Sequence, residues 1–127
     1  MLKPFVKIDH VTVQVEDIER SVKFYKEKLG FELDHGDPNS GSKYCSIKSG
    51  GVMLELYGLG KKPAQPPEKG EVGVNHIALK VEDINEAYAE LQKRGISFHI
   101  PLFFQPNSGR WIAFFRDPDG IVLHITT

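Results

Sequence analysis

Two half-length copies of one motif constrain the fold of this chain more than any other feature. The first copy occupies residues 8–18 and reads IDHVTVQVEDI, and the second occupies residues 74–84 and reads VNHIALKVEDI. A shift of 66 residues aligns His10 with His76 and places the second Glu-Asp-Ile triplet on the first. A chain built from two such copies is expected to fold as two equivalent modules.

A second matched pair of side chains lies near the end of each copy. Residues 51–56 read GVMLEL and residues 120–125 read GIVLHI, so a shift of 69 residues aligns Glu55 with His124. Two copies that fold alike are related by a pseudo-twofold axis, which can bring four side chains to one point. These side chains are His10, Glu55, His76 and His124.

Each copy predicts the element order βαβββ. Apolar and polar residues alternate along the first strand of each copy, and both histidines fall on the polar face. The stretches that follow have the apolar spacing of amphipathic helices, with Asp17 and Asp83 at their starts and Gly30 and Gly95 at their ends. The remaining strands are predicted at 31–35, 43–48 and 52–57, and at 97–102, 110–116 and 121–126.

Length and composition set modest bounds on organisation and partners. The 127 residues indicate one domain by size, with module one at 5–60, a proline-rich linker at 61–72 and module two at 73–127. A formal charge of −1 gives no sign of a nucleic-acid or membrane partner. The chain shows no signal-peptide or transmembrane run, and its single cysteine, Cys45, suits a reducing compartment. We therefore expect a cytoplasmic protein.

Strand alternation extends the polar faces into a candidate substrate pocket. Pairing Arg116 with Ile121 across the intervening turn would place Trp111 and Phe115 on the face of His124, although a slip of one residue would reverse this assignment. In module one the equivalent pairing of Lys48 with Gly51 places Cys45 in the core, where it is not expected to act as a nucleophile. The candidate pocket residues are Thr12, Gln14, Tyr44, Ser46, Lys80, Trp111 and Phe115.

The four matched side chains predict a metal site. Imidazole nitrogens and a carboxylate oxygen suit a borderline divalent ion, and the ligand set does not choose among Zn²⁺, Ni²⁺, Co²⁺, Fe²⁺ and Mn²⁺. A single histidine in a strand is more often structural than a ligand, but four candidates at equivalent positions favour ligation. The alternative is that the same residues line a metal-free cleft.

Four segments resemble the vicinal oxygen chelate superfamily, which contains glyoxalase I, bleomycin-resistance proteins and extradiol dioxygenases. They are residues 8–11, 21–31, 74–78 and 114–120. The resemblance implies an α+β fold in which two βαβββ modules form cupped mixed sheets, with helices on the outer face and a metal enclosed. It also implies a homodimer, often with module one of one chain facing module two of the other.

Three functions remain open from the sequence. The favoured one is a divalent-metal-dependent lyase or isomerase of the glyoxalase type, with Glu55 as the base and a small substrate whose vicinal oxygens allow an enediolate-like intermediate. Glyoxalase I usually has glutamate where this chain has His124, which leaves Glu55 as the single carboxylate of the set. The alternatives are an Fe- or Mn-dependent dioxygenase and a non-catalytic protein that binds a drug or metabolite.

Overall fold

The computed structural model describes residues 3–41, 43–62 and 72–127. The chain divides into two compact units, Met1–Lys62 and Pro63–Thr127. Most of the predicted linker at 61–72 lies outside the described residues, since these omit 63–71. Within the described part of the chain, no helix is long and apolar enough to span a membrane.

Unit 1 has the predicted order βαβββ. Its elements are β1 (Val11–Val15), α1 (Ile18–Leu29), β2 (Glu32–Gly36), β3 (Tyr44–Ser49) and β4 (Val52–Gly58). The four strands form one mixed sheet in the order β1-β4-β3-β2. Strand β1 runs parallel to β4, and the other neighbours are antiparallel. The helix is the crossover that a parallel β1–β4 pair requires.

Unit 2 repeats this topology. Its elements are β5 (Ile77–Lys80), α2 (Ile84–Lys93), β6 (Ile100–Gln105), β7 (Arg110–Arg116) and β8 (Val122–Thr126). The sheet order β5-β8-β7-β6 matches that of unit 1, again with one parallel pair. The α+β class and the two βαβββ modules with mixed sheets are therefore confirmed.

The predicted starts of both helices and the predicted end of α1 are confirmed by their caps, whereas α2 ends at Lys93 with Arg94 as its cap, one residue before the predicted Gly95. The Asp17 and Asp83 carboxylates each accept a hydrogen bond from the backbone N–H three residues later, at 3.2 and 3.0 Å. Each bond satisfies one of the donors that a helix N-terminus leaves without an intrahelical partner. At the end of α1, Gly30 adopts a left-handed backbone with φ 77°, a conformation that glycine adopts without steric cost.

One face of the unit 1 sheet forms a core with α1. Tyr25 of the helix is fully buried, as are Leu54 and Leu56 of the central strand β4. The Tyr25 ring meets Phe31 edge to face, with centroids 5.6 Å apart. This packing fixes strand parity in unit 1: residues that alternate with Leu54 and Leu56, Glu55 among them, point to the opposite face.

Cys45 lies in this core with 0 % of its surface exposed, and burial raises the pKa of its thiol. Since the thiolate is the reactive form, we expect a disulfide reagent such as DTNB to leave the native protein unmodified on the minute timescale at pH 7.5. Protein unfolded in urea should release one equivalent of thionitrobenzoate at once. Rapid stoichiometric release from the native protein would show that Cys45 is accessible and reactive.

In unit 2 the pairing of β7 with β8 is shifted by one residue from the predicted pairing. Phe114 pairs with His124, and Arg116 pairs with Val122, whereas the prediction paired Arg116 with Ile121. Phe115 is fully buried on the opposite face, where it meets Phe98 edge to face at 5.5 Å. The prediction that Phe115 and Trp111 share the face of His124 was therefore wrong.

The turn before β8 explains this error. The Asp117 carboxylate accepts hydrogen bonds from the backbone N–H groups of Asp119 and Ile121, both at 2.9 Å. The backbone N–H of Asp117 also donates to the Ile121 carbonyl at 3.0 Å. These bonds hold residues 117–121 as a five-residue loop rather than a four-residue turn. One extra loop residue moves every side chain of one strand to the other face relative to its partner.

Candidate metal centre

His10 and Glu55 come together in unit 1. Thr12 of β1 pairs with Glu55 of β4 in a parallel register, so the two side chains share a face, and His10 lies two residues earlier on the same face. The His10 Nε2 atom is 3.4 Å from Glu55 Oε1, and both side chains are half-buried. This distance suits two ligands of one divalent ion, because each bond to such an ion is about 2.0–2.2 Å.

His76 and His124 come together in unit 2 by the equivalent arrangement. Ala78 of β5 pairs with His124 of β8, and His76 lies two residues before Ala78. The two imidazole centroids are 4.4 Å apart. The matched pairs that the duplication predicted are thus adjacent within each unit, two donors in each.

The residues that precede His10 and His76 orient the two imidazole rings. His10 Nδ1 lies 2.8 Å from Asp9 Oδ2, and His76 Nδ1 lies 2.8 Å from Asn75 Oδ1. In each case Nδ1–H donates to the oxygen, which leaves the Nε2 lone pair available to a metal. Metal-binding histidines are typically held by such a partner. Sequence reasoning assigned no role to Asp9 and Asn75, although their matched positions in the duplicated motif were a signal that could have found them.

His124 has the most strongly perturbed environment of the four side chains. It is 8 % exposed, and its Nδ1 atom is buried without a hydrogen-bond partner in the part of the chain that the structure describes. Burial, and then the charges of His76 and Arg110, lower its pKa to about 4. The imidazole is therefore neutral near pH 7, which is the form that binds a metal.

The pKa of His10 moves in the opposite direction. The hydrogen bond to Asp9 raises it most, burial opposes this, and the negative charge of Glu55 adds to the rise. A metal ion at this pair would compete with that proton, as metal binding to histidine generally does.

The donor chemistry fits a borderline divalent ion, with three imidazoles and one carboxylate in two oriented pairs. Among the described residues of each unit, no three His, Cys, Asp or Glu side chains form a group able to hold a metal by themselves. Each unit therefore offers half of the predicted ligand set, and the meeting of both halves at one ion stays a prediction.

The predicted pocket residues of unit 1 lie around Glu55. Ser46 is buried and pairs with Glu55 across β3 and β4, and its hydroxyl donates to Asp34 at 3.2 Å. Tyr44 packs on the Tyr57 ring, with centroids 4.9 Å apart. Burial and the Glu55 charge raise the pKa of Tyr44, so its phenol stays protonated. Thr12 and Gln14 share this face and are exposed on β1.

Unit 2 contains a cavity of about 460 Å³ beside its histidine pair. His76 and His124 line it together with Ile112, Phe114 and Arg110. The sequence prediction missed Ile112 and Phe114 because its register was wrong by one residue. It assigned Trp111 and Phe115, at the alternate positions of β7, to the cavity face instead. Lys80 is exposed on β5, where it pairs with Thr126 of the cavity wall. Trp111 is about half exposed and packs on Phe104, with centroids 5.7 Å apart.

A family model matches nearly the whole chain. The family model described as the Glyoxalase/Bleomycin resistance protein/Dioxygenase superfamily matches residues 7–125. The crystal structure of a glyoxalase family protein from Enterococcus faecalis superposes with a TM-score of 0.80 at 34% sequence identity, and the match covers 97% of this chain and 98% of that one.

Two sequence relatives extend the comparison. The uncharacterized protein YwkD of Bacillus subtilis (strain 168) is 28% identical, over 93% of this chain and 94% of its own length. A probable lactoylglutathione lyase of Vibrio parahaemolyticus is 27% identical, over 94% of this chain and 88% of its own length. The matches extend over both units.

Proposed function

The chain belongs to the glyoxalase/bleomycin resistance protein/dioxygenase superfamily, and from this premise we propose that it is a divalent-metal-dependent lyase or isomerase of the glyoxalase type. Its substrate is a small molecule with two adjacent oxygens, and the reaction passes through an enediolate-like intermediate. His10, Glu55, His76 and His124 hold the metal in this proposal. The observation that carries it is the pair of oriented histidines, each with Nδ1 anchored and Nε2 left for a metal.

The proposed chemistry assigns separate tasks to the protein and to the ion. A bound divalent ion supplies Lewis-acid stabilisation of the negative charge that develops on the substrate oxygens. Glu55 takes the proton from the carbon beside the carbonyl and returns it to the neighbouring carbon, so the proton balance closes on one residue. The three imidazoles would hold the ion while the Glu55 carboxylate takes up the substrate proton and returns it.

The histidine at position 124 gives the proposed centre a distinctive charge. Three neutral imidazoles and one carboxylate leave a net +1 on a divalent ion, whereas a set with two carboxylates would leave it neutral. The extra positive charge favours an anionic intermediate. His124 also leaves Glu55 as the single carboxylate among the four ligands. A ligand can therefore transfer a proton only on the side of the substrate that faces Glu55.

Metal content tests this proposal directly. Protein purified without chelators and without a nickel column should contain about one divalent ion per chain by elemental analysis, and added metal should raise the melting temperature of the stripped protein. A His124→Asn variant should lose both properties. A His35→Asn variant is the matched control, because His35 is exposed on β2 and belongs to neither pair.

Two outcomes would redirect the assignment. Wild-type protein that lacks stoichiometric metal and gains no stability on titration would contradict a metal enzyme and favour a protein that binds a small molecule in a metal-free cleft. Oxygen uptake with catechols after anaerobic loading with Fe²⁺, in the absence of isomerase activity, would favour the dioxygenase alternative.

A further inference from the structure

Arg110 is a cation in the wall of the unit 2 cavity that no carboxylate neutralises within the described residues. None of the ion pairs seen among the described residues includes Arg110. The Arg110 side chain is exposed. A positive group that lines a cavity without an internal partner is available to a negative group of a ligand.

The β6–β7 hairpin fixes the place of Arg110 relative to the histidine pair. Arg110 pairs with Gln105 at the start of β7, and the Gly109 backbone N–H closes the turn by donating to the Gln105 carbonyl at 2.8 Å. Arg110, Ile112 and Phe114 alternate along one face of β7, and Phe114 pairs with His124. Four residues of strand place the Arg110 backbone about 13 Å along β7 from this pair.

The wall between these two points is mostly apolar, and Thr126, which pairs with Ile112, adds one hydroxyl to it. Ile112 is buried, and the Phe114 ring meets those of His124 and His76 edge to face, with centroids 4.7 and 5.4 Å away. The cavity thus has imidazoles at one end, the side chains of Ile112, Phe114 and Thr126 in its middle, and a guanidinium at the other end.

We propose that Arg110 binds an oxyanion substituent of the substrate, a carboxylate or a phosphate group, separated by several bonds from the vicinal oxygens. This inference rests on the proposed function and narrows its substrate class to small acids. The carbon atoms between the two polar ends contact Ile112 and Phe114. A guanidinium suits this task, since its planar array of donors matches two oxygens of either group.

Binding to the metal-free protein tests this inference separately from catalysis. Glutarate, 3-phosphonopropionate and the uncharged glutaramide serve as probes, with affinity and location read from NMR shifts of the backbone amides of residues 110–114. Wild-type protein should bind one or both anions at least tenfold more tightly than glutaramide. Arg110→Gln should remove this preference, and Lys93→Gln, which deletes an equal charge on the exposed end of α2, should retain it.

The outcomes separate the two proposals. Equal binding of anions and glutaramide by wild type, or an anion preference that survives in Arg110→Gln, would refute the role of Arg110 whether or not metal binds. An anion preference that depends on Arg110 in a protein without metal affinity would support the anion site and contradict the lyase. The ratio of affinities for glutarate and 3-phosphonopropionate identifies which oxyanion the site prefers.

Discussion

Replacement of Glu55 by glutamine is expected to lower turnover by roughly 10²–10⁴-fold, the usual contribution of a positioned general base. The amide retains the size of the side chain and its place on β4 beside Thr12 and Ser46, but it cannot accept the substrate proton. The measurement is the rate at which the metal-loaded protein exchanges the substrate C–H proton with deuterium from D₂O, followed by NMR together with metal content.

Two further variants distinguish the role of Glu55 as a base from its role as a metal ligand. Glu55→Asp keeps a carboxylate and should bind metal more tightly than Glu55→Gln if ligation is what glutamine removes. Glu32→Gln deletes an exposed carboxylate on β2 of the same sheet and should leave both rate and metal unchanged. Full proton exchange by Glu55→Gln with its metal in place would show that another group is the base.

The architecture was predictable because the same βαβββ sequence pattern occurs in both halves of the chain. Each copy carries the same capping aspartate, the same amphipathic stripe and the same alternating strands, so the elements assigned in one module support the same assignment in the other. In unit 1 the faces of Ser46 and Cys45 were predicted correctly, because the predicted pairing of β3 and β4 differs from the observed register by an even number of residues. An even error leaves every side chain on its predicted face.

The face of β7 was not predictable by the same means. Its parity depends on the number of residues in the loop before β8, and that number is set by three hydrogen bonds at Asp117. The tetrapeptide Asp117–Gly120 reads as an ordinary four-residue turn, and the buried carboxylate that lengthens it leaves no trace in the hydrophobic pattern. The consequence for the site was large, since Phe114 and Ile112 replace Phe115 and Trp111 in the cavity wall.

The two halves of the candidate site depend on different kinds of information. Parallel pairing within a unit follows from strand alternation and brings Glu55 to His10 and His124 to His76. The meeting of these pairs at one ion depends on the packing of one unit, or one chain, against another, and alternation along a strand does not encode that packing. It is therefore the prediction whose experimental test decides most about this protein.

Mixing two variants that do not bind metal is expected to restore metal binding if the homodimer that the family resemblance implies shares its sites between subunits. His10→Asn removes a ligand of module one, and His124→Asn removes a ligand of module two, so each variant alone should bind little metal. In a mixed dimer with exchanged modules, both substitutions lie in one of the two sites. The other site keeps all four ligands. Refolded equimolar mixtures should then contain about half mixed dimers, each with one intact site.

The same experiment distinguishes a site built within one chain, because every site in a mixed dimer would then lack one histidine and no metal affinity would return. The control mixes His10→Asn with Glu55→Gln: both defects lie in module one, so no arrangement of modules produces an intact site. Elemental analysis of mixtures separated by size-exclusion chromatography provides the readout. Recovery of about a quarter of the wild-type metal in the first mixture, and none in the second, is the result that sharing predicts, since half of the dimers regain one of two sites.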